Sequence, residues 1–305
     1  MPDSDSPHFI CGMSRTGITP LTRCLNLHPD VAAFGQSRFW GRYWIEPEGP
    51  DGGYSSAQRV ALRDTLVGFT WTGTVGPGPG TLDLDLAGFR ALVAAGMDAT
   101  DPGAGPDALF GGIAQRLRER EGARFVFEKT PHHIHCVDRI LRYFPKAHFV
   151  VIRAEPRLFF RMHRSQPDLQ YHPLVAGFVW RSYDRAHASV LARHPERVVT
   201  VQLEELISDP EAALGPTLEH FDLPPADLAA PVRWARDLPP PAELDAADEL
   251  IAALLSDGPF VLDRPTLRSL AGAGVRLPRF ALAMGWGFQR EHAGRLDEYL
   301  GRWLR

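Results

Sequence analysis

The sequence predicts an α/β fold: a central parallel β-sheet flanked on both faces by helices, with a helical cap or insertion. Three observations predict it. Short, nearly continuous apolar runs such as HFICG, RFVFE and HFVVIR lack in–out alternation, as strands covered on both faces do. These runs alternate with segments of helical periodicity. A glycine-bearing loop joins the first run to the first helical segment.

The elements follow in order. Residues His8–Gly12 are the first strand, and Pro20–Leu27 is a helix whose apolar face carries Leu21, Cys24, Leu25 and Leu27. The stretch from Val31 to Trp44 is rich in aromatic residues. Gly-, Pro- and acid-rich loops at 46–55 and 73–84 flank a helix at Ser56–Trp71, and helices at Leu86–Ala95 and Pro106–Arg120 follow. The strand ARFVFEK leads to a helix at Pro131–Phe144, and the strand AHFVVIR to helices at Arg157–His163 and Leu174–Arg193. RVVTVQLEEL is a strand running into a helix, and Pro210–Phe221 is the next helix. Beyond Asp222 the chain is Pro-rich and mostly helical, with a closing helix expected at Glu291–Leu304. The 305 residues read as one domain, with its core at 8–45 and 124–224, a helical insertion at about 46–123 and a helical C-terminal segment at about 225–305.

Composition excludes several function classes. A hydrophobic content of 44% with 23% charged residues is that of a globular protein, not of a coiled coil or a disordered chain. The formal net charge of −4 lacks the basic excess of a nucleic-acid binder, and no apolar run reaches the length of a membrane span. The three cysteines, Cys11, Cys24 and Cys136, form no CxxC spacing and no paired framework, which fits a reducing compartment. The start MPDSDSPHF has no basic n-region, so the expected location is the cytoplasm. The basic residues are almost all arginine, a bias that suits a GC-rich bacterial genome and makes Lys129 and Lys146 worth locating.

The loop Gly12-Met-Ser-Arg15-Thr16-Gly17-Ile18-Thr19 has the length of the nucleotide-hydrolase loop G-x-x-x-x-G-K-(S/T). Gly12 and Gly17 hold both glycine positions and Thr19 the hydroxyl position, which makes the expected fold P-loop-like. Such a loop presents backbone N–H groups to an anion at a helix N-terminus. Ile18 stands where that loop needs its lysine, which argues against ATP or GTP chemistry, and the cation has moved to Arg15.

The stretch GMSRTGITPLTRCLNLHPDV resembles the 5′-phosphosulfate-binding loop of sulfotransferases that use 3′-phosphoadenosine 5′-phosphosulfate (PAPS). Gly12, Arg15, Thr16, Gly17, Thr19, Leu21, His28 and Pro29 follow the family pattern and Ile18 departs from it. Two further stretches resemble the family in the same order. Glu128, Lys129, Thr130, Pro131, Phe144, Pro145, Ala147 and Arg153 fit a middle motif, and Glu204, Glu205, Leu206, Pro210 and Phe221 a later one in which Leu203 replaces a tyrosine. The resemblance covers about residues 8–40 and 124–224.

The resemblance implies transfer of a sulfuryl group from PAPS to a hydroxyl or amine of a small-molecule acceptor, for instance a specialised metabolite, without a metal. Arg15 and Lys129 are then expected to stabilise charge on the sulfuryl group and the bridging oxygen. The amides of Thr16, Gly17, Ile18 and Thr19 are expected to hold the 5′-phosphate, and Arg153 the 3′-phosphate. The family serine eight residues after Arg153 is replaced by Arg161, which is expected to take its place, with Ser165 as a substitute. Trp180 is a candidate for stacking on adenine.

A hydroxyl acceptor needs a base. The family glutamate is replaced by Gln36, which cannot take a proton. His132 is the expected base, because the helix opened by Pro131 would keep its ring neutral; Glu128 and His133 are the neighbouring candidates. Phe39, Trp40, Tyr43, Trp44, Phe69 and Trp71 are candidates to line an apolar acceptor pocket. A P-loop kinase and a non-catalytic sulfotransferase-like binding protein are the alternatives, and the sequence leaves the oligomeric state open.

Overall fold

The structure is a computed structural model, and it describes residues 2–49, 52–68, 79–82, 84–101, 103–165, 172–232, 243–256, 268–269 and 271–273. Five parallel strands form one sheet: β1 (His8–Gly12), β2 (Val31–Gly35), β3 (Phe125–Lys129), β4 (Phe149–Arg153) and β5 (Val198–Gln202), in the spatial order β2-β3-β1-β4-β5. Parallel pairing requires crossovers, and these are the helices that cover both faces. The register places Ile10 beside Lys129 and Gly12 beside Ile152. On the outer pairs, Gly35 lies beside Lys129 and Arg153 beside Gln202.

The unalternating apolar pattern is explained by a core on each face. On one face Phe9 stacks between Phe149, at 5.6 Å, and Phe110 of α4 (Pro106–Glu121), at 5.7 Å. On the other, Phe127 meets Phe221 at 4.9 Å, and His8 packs fully buried against both rings. Burial pushes the His8 ring down to about pH 3, so it sits in the core as a neutral group.

Helices α1 (Ile18–Asn26), α2 (Ser56–Gly68) and α3 (Leu86–Asp98) precede α4; α3 packs on α4, and α4 on β2 and β3. The chain continues through α5 (Val137–Tyr143), α6 (Pro156–Arg164), α7 (Pro173–Arg193), α8 (Leu203–Ser208) and α9 (Pro210–His220). A later helix, α10 (Ala246–Ser256), packs on α6 and α7. There the fully buried Asp248 accepts from Arg164 at 2.6 Å, and Ile251 lies against Gly177.

Two expectations are corrected. Val31–Gly35 is a strand, fully paired with β3, where the sequence showed only an aromatic-rich stretch. The expected helix at Pro131–Phe144 is a 3-10 helix, Pro131–Cys136, followed by the short α5. Its first turn closes through His133 N donating to Thr130 O at 3.0 Å, and the His133 ring is drawn back to Glu128 on β3. The expected helix at Glu291–Leu304, with Phe69 and Trp71, lies outside the described residues. Among the described residues no helix is long and apolar enough to cross a membrane, and the three cysteines are buried and form no disulfide with one another.

Candidate functional site

The strand ends set the site. In an open parallel sheet the crevice beyond the carboxyl ends of the strands, where connections run to opposite sides, is where ligands bind. Here β1 is the central strand, and Gly12, Lys129 and Arg153 stand on that edge.

The loop after β1 is shaped by two glycines. Gly12 has φ 121°, and a Cβ there would fall 2.2 Å from Ile152 O. Gly17 has φ 76° and opens α1, with Leu203 Cδ1 only 2.5 Å from where its Cβ would be. Both close approaches need the missing side chain and the left-handed backbone that glycine allows. Met13 N donates to Ile152 O at 3.1 Å, and the buried Thr16 hydroxyl donates to Met13 O at 2.7 Å. The cap of α1 has no side-chain hydrogen bond. Among the described residues the amides of Thr16, Gly17, Ile18 and Thr19 meet no backbone acceptor outside the helix. First-turn amides cannot be satisfied within a helix, so this row of donors is suited to an anion. Ile18 is buried and Thr19 half-buried, while Arg15 is exposed with φ 62°.

Lys129 ends β3 with its stem laid across Gly35, whose Cβ would fall 2.7 Å from Lys129 Cε. Its side chain is almost wholly buried. Burial lowers its ammonium to about 8; Glu128 pulls the other way, and the charges of Arg38 and Arg15 add to the lowering. Glu128, one residue earlier, points to the opposite face and is fully buried. Its Oε1 accepts from Ser37 N at 2.7 Å and from the Thr130 hydroxyl at 2.6 Å, while His133 Nδ1 lies 2.8 Å from Oε2. Burial pushes the carboxyl up, but His133 and these donors outweigh it and hold it below its ordinary value. Glu128 is thus an enclosed anchor that pins the loop after β2 to the end of β3, and it has no open face for a reactant.

Sequence reasoning missed two members of this edge. Arg38 has φ 54°, and its N–H donates to Thr130 Oγ1 at 3.2 Å. His163, in the last turn of α6, stacks on Phe159 at 3.8 Å and donates through Nδ1 to Phe159 O at 3.1 Å. Burial, with the charge of Arg15, lowers His163 to about 4, so the ring is neutral. For Arg38 the available signal was its position just past Gln36, the residue that replaced an expected carboxylate. His163 had no local signal.

The remaining candidates sit as follows. Arg153 donates through Nε to Asp184 Oδ1 at 2.9 Å and covers the Trp180 ring at 5.7 Å. Trp180 is only 4% exposed and its indole N–H donates to Ala154 O at 2.9 Å, so it is core under Arg153 and offers no open stacking face. Arg161 is half-buried on α6, and its carbonyl accepts the Ser165 hydroxyl at 2.8 Å. His132 is half-buried; its Nδ1 is hydrogen-bonded to the Tyr183 hydroxyl of α7, and the two rings stack at 5.6 Å. Gln36 is half-buried at the end of β2. Phe39 and Trp40 are buried against Phe110 and belong to the core, whereas Tyr43 and Trp44 are partly exposed. A surface cleft between α3 and α4, lined by Leu84, Asp85, Leu92, Arg116 and Arg120 among others, contains none of the residues of the strand edge.

Comparison with known proteins places this geometry. The profile of the "Sulfotransferase family" matches residues 7–227. The sulfotransferase domain from the curacin biosynthetic pathway is similar in fold, with a TM-score of 0.51 and 15% identity over 91% of this chain and 99% of that one. The sulfotransferase domain of the Synechococcus PCC 7002 olefin synthase aligns at a TM-score of 0.47 and 16% identity, over 91% of this chain and 98% of that one. Sulfotransferase STF9 from Mycobacterium avium aligns at 0.44 and 16%, over 88% and 75%. No curated protein matches the chain.

Proposed function

We propose, from the premise that the chain belongs to the sulfotransferase family, that it transfers a sulfuryl group from PAPS to a hydroxyl or amine of a small-molecule acceptor. The observation that carries this reading is the loop of unsatisfied amides at Thr16–Thr19 flanked by Arg15 and Lys129. Those donors fit a 5′-phosphosulfate: the amides bind the phosphate, and the two cations lie where charge develops on the sulfuryl group and the bridging oxygen. PAPS supplies an activated sulfuryl group.

The chain's own residues do the rest. Arg15 and Lys129 hold the negative charge as the acceptor oxygen bonds to sulfur and the bond from sulfur to the bridging oxygen breaks. Adenosine 3′,5′-bisphosphate leaves. His132 takes the acceptor proton on Nε2, in the tautomer whose Nδ1–H donates to the Tyr183 oxygen. Arg153, oriented by Asp184, and Arg161 bind the 3′-phosphate. The buried Ile18 at the position of the P-loop lysine supports this reading over a kinase.

The test is thermal denaturation. Adenosine 3′,5′-bisphosphate is expected to raise the melting temperature without magnesium, and Mg-ATP is not; a rise with Mg-ATP alone overturns the proposal. In the same assay format, Arg153→Ala is expected to weaken adenosine 3′,5′-bisphosphate by about ten- to a hundredfold and to leave adenosine 5′-monophosphate nearly unchanged, the worth of one charge-assisted contact. Equal weakening of both nucleotides removes Arg153 from the 3′-phosphate site.

A further inference from the structure

The strand order turns the candidate cations into a row. Reading along the carboxyl edge of the sheet, Arg38 follows β2, Lys129 ends β3, Arg15 follows β1 and Arg153 ends β4. In the reading proposed above, a nucleotide runs from the loop after β1 toward β4, so its 3′-phosphate lies toward Arg153. Lys129 then stands at the opposite, reacting end, and Arg38 stands beyond it.

The backbone of Arg38 is held in place with unusual care. Glu128 takes Ser37 N, Thr130 takes Arg38 N at 3.2 Å, and Ser37 Oγ takes Phe39 N at 3.2 Å, so three consecutive N–H groups are fixed by side chains. The result is a left-handed arginine at φ 54°, a strained backbone for a residue other than glycine. Among the described residues only three non-glycine positions have positive φ: Arg15, Arg38 and Asp222. Two of these are the arginines whose charges act on Lys129. Backbone strain gathers where a site needs a side chain aimed in one direction. A buried, ionised carboxylate and a threonine that serve to hold the loop after β2 indicate what that loop is held for: its arginine.

We propose that Arg38 is a third cation of the donor site, contacting the terminal sulfuryl oxygens beyond Lys129, where the family pattern has no charge assigned in this chain. The inference rests on the PAPS reading. Arg38 discriminates the sulfated donor from its desulfated product: the donor extends one group further along the row, while adenosine 3′,5′-bisphosphate ends at the phosphate held by the amides.

The experiment is calorimetric titration of the full chain with PAPS and with adenosine 3′,5′-bisphosphate, without acceptor, at one pH and ionic strength. The variants are Arg38→Asn, because asparagine tolerates the left-handed backbone, and Arg38→Lys, which keeps a charge. Arg38→Asn is expected to lose about tenfold or more in PAPS affinity and less than about threefold in bisphosphate affinity, with an unchanged melting temperature. Arg38→Lys is expected to recover most of that difference. Equal losses for both nucleotides, or no loss for either, overturn the role of Arg38 while leaving the PAPS reading intact. A wild-type chain that binds neither nucleotide overturns the PAPS reading and this assignment with it.

Discussion

Lys129→Met is expected to lower turnover by about 10²–10³-fold, the usual cost of losing one preorganised group that stabilises charge in the transition state. Methionine keeps the unbranched stem that lies across Gly35, so the packing at the end of β3 survives and the ammonium alone is removed. Bisphosphate release from PAPS, measured with one test alcohol for both proteins, reads the effect. A loss of only a few-fold shows that Lys129 does not act on the reacting atoms. A second readout needs no turnover. In the free protein the ammonium loses its proton at about 8, because burial and the charges of Arg38 and Arg15 outweigh the pull of Glu128. An anionic nucleotide favours the charged form and raises that value, so binding takes up a proton. Bisphosphate affinity is therefore strongest below pH 8 and falls as pH rises through it, by up to about tenfold per pH unit. In Lys129→Met this dependence is expected to disappear; a profile identical to the wild type's assigns the titration to another group.

Gly12→Ala is expected to destabilise the fold by about 4 kcal/mol or more, among the largest effects a single methyl group produces. The new Cβ would fall 2.2 Å from Ile152 O and 2.9 Å from Ile152 N, atoms of the paired strand β4 that have no freedom to withdraw. Its φ of 121° adds a backbone conformation that L-residues rarely adopt. Gly122→Ala is the internal control. That residue ends α4 at φ 66° with nothing within 4 Å of a Cβ, so only the left-handed cost of about 1 kcal/mol applies. Denaturant midpoints of the two variants separate the contributions, and equal destabilisation refutes the steric argument.

The parts legible in the sequence were those whose signal is local. β1, β3, β4 and β5 are β-branched or aromatic runs bounded by breakers. The loop after β1 carries its glycines at fixed offsets. β2 is not legible because VAAFG holds two alanines and merges into the aromatic stretch that follows it; its strand character comes from pairing with β3. Pro131 opens α and 3-10 helices alike, so the tighter turn was set by the contact between His133 and Glu128 across the strand end. Arg38, His163 and the burial of Trp180 depend on which strand lies beside which. No window of sequence contains that information.

The pairing of Asp248 with Arg164 bears on where this chain can be divided. The family profile ends at residue 227, which invites the view that a cut there leaves a complete enzyme. Yet α10 covers α6 and α7, and its one fully buried carboxylate is matched to an arginine of α6, the helix that also carries Arg161 and His163. Trimming at 227 would uncover the apolar flank around Ile251 and Gly177 and strand Arg164 without its counter-charge. For this chain the smallest self-sufficient unit therefore extends at least to Ser256, well past the point where sequence kinship fades.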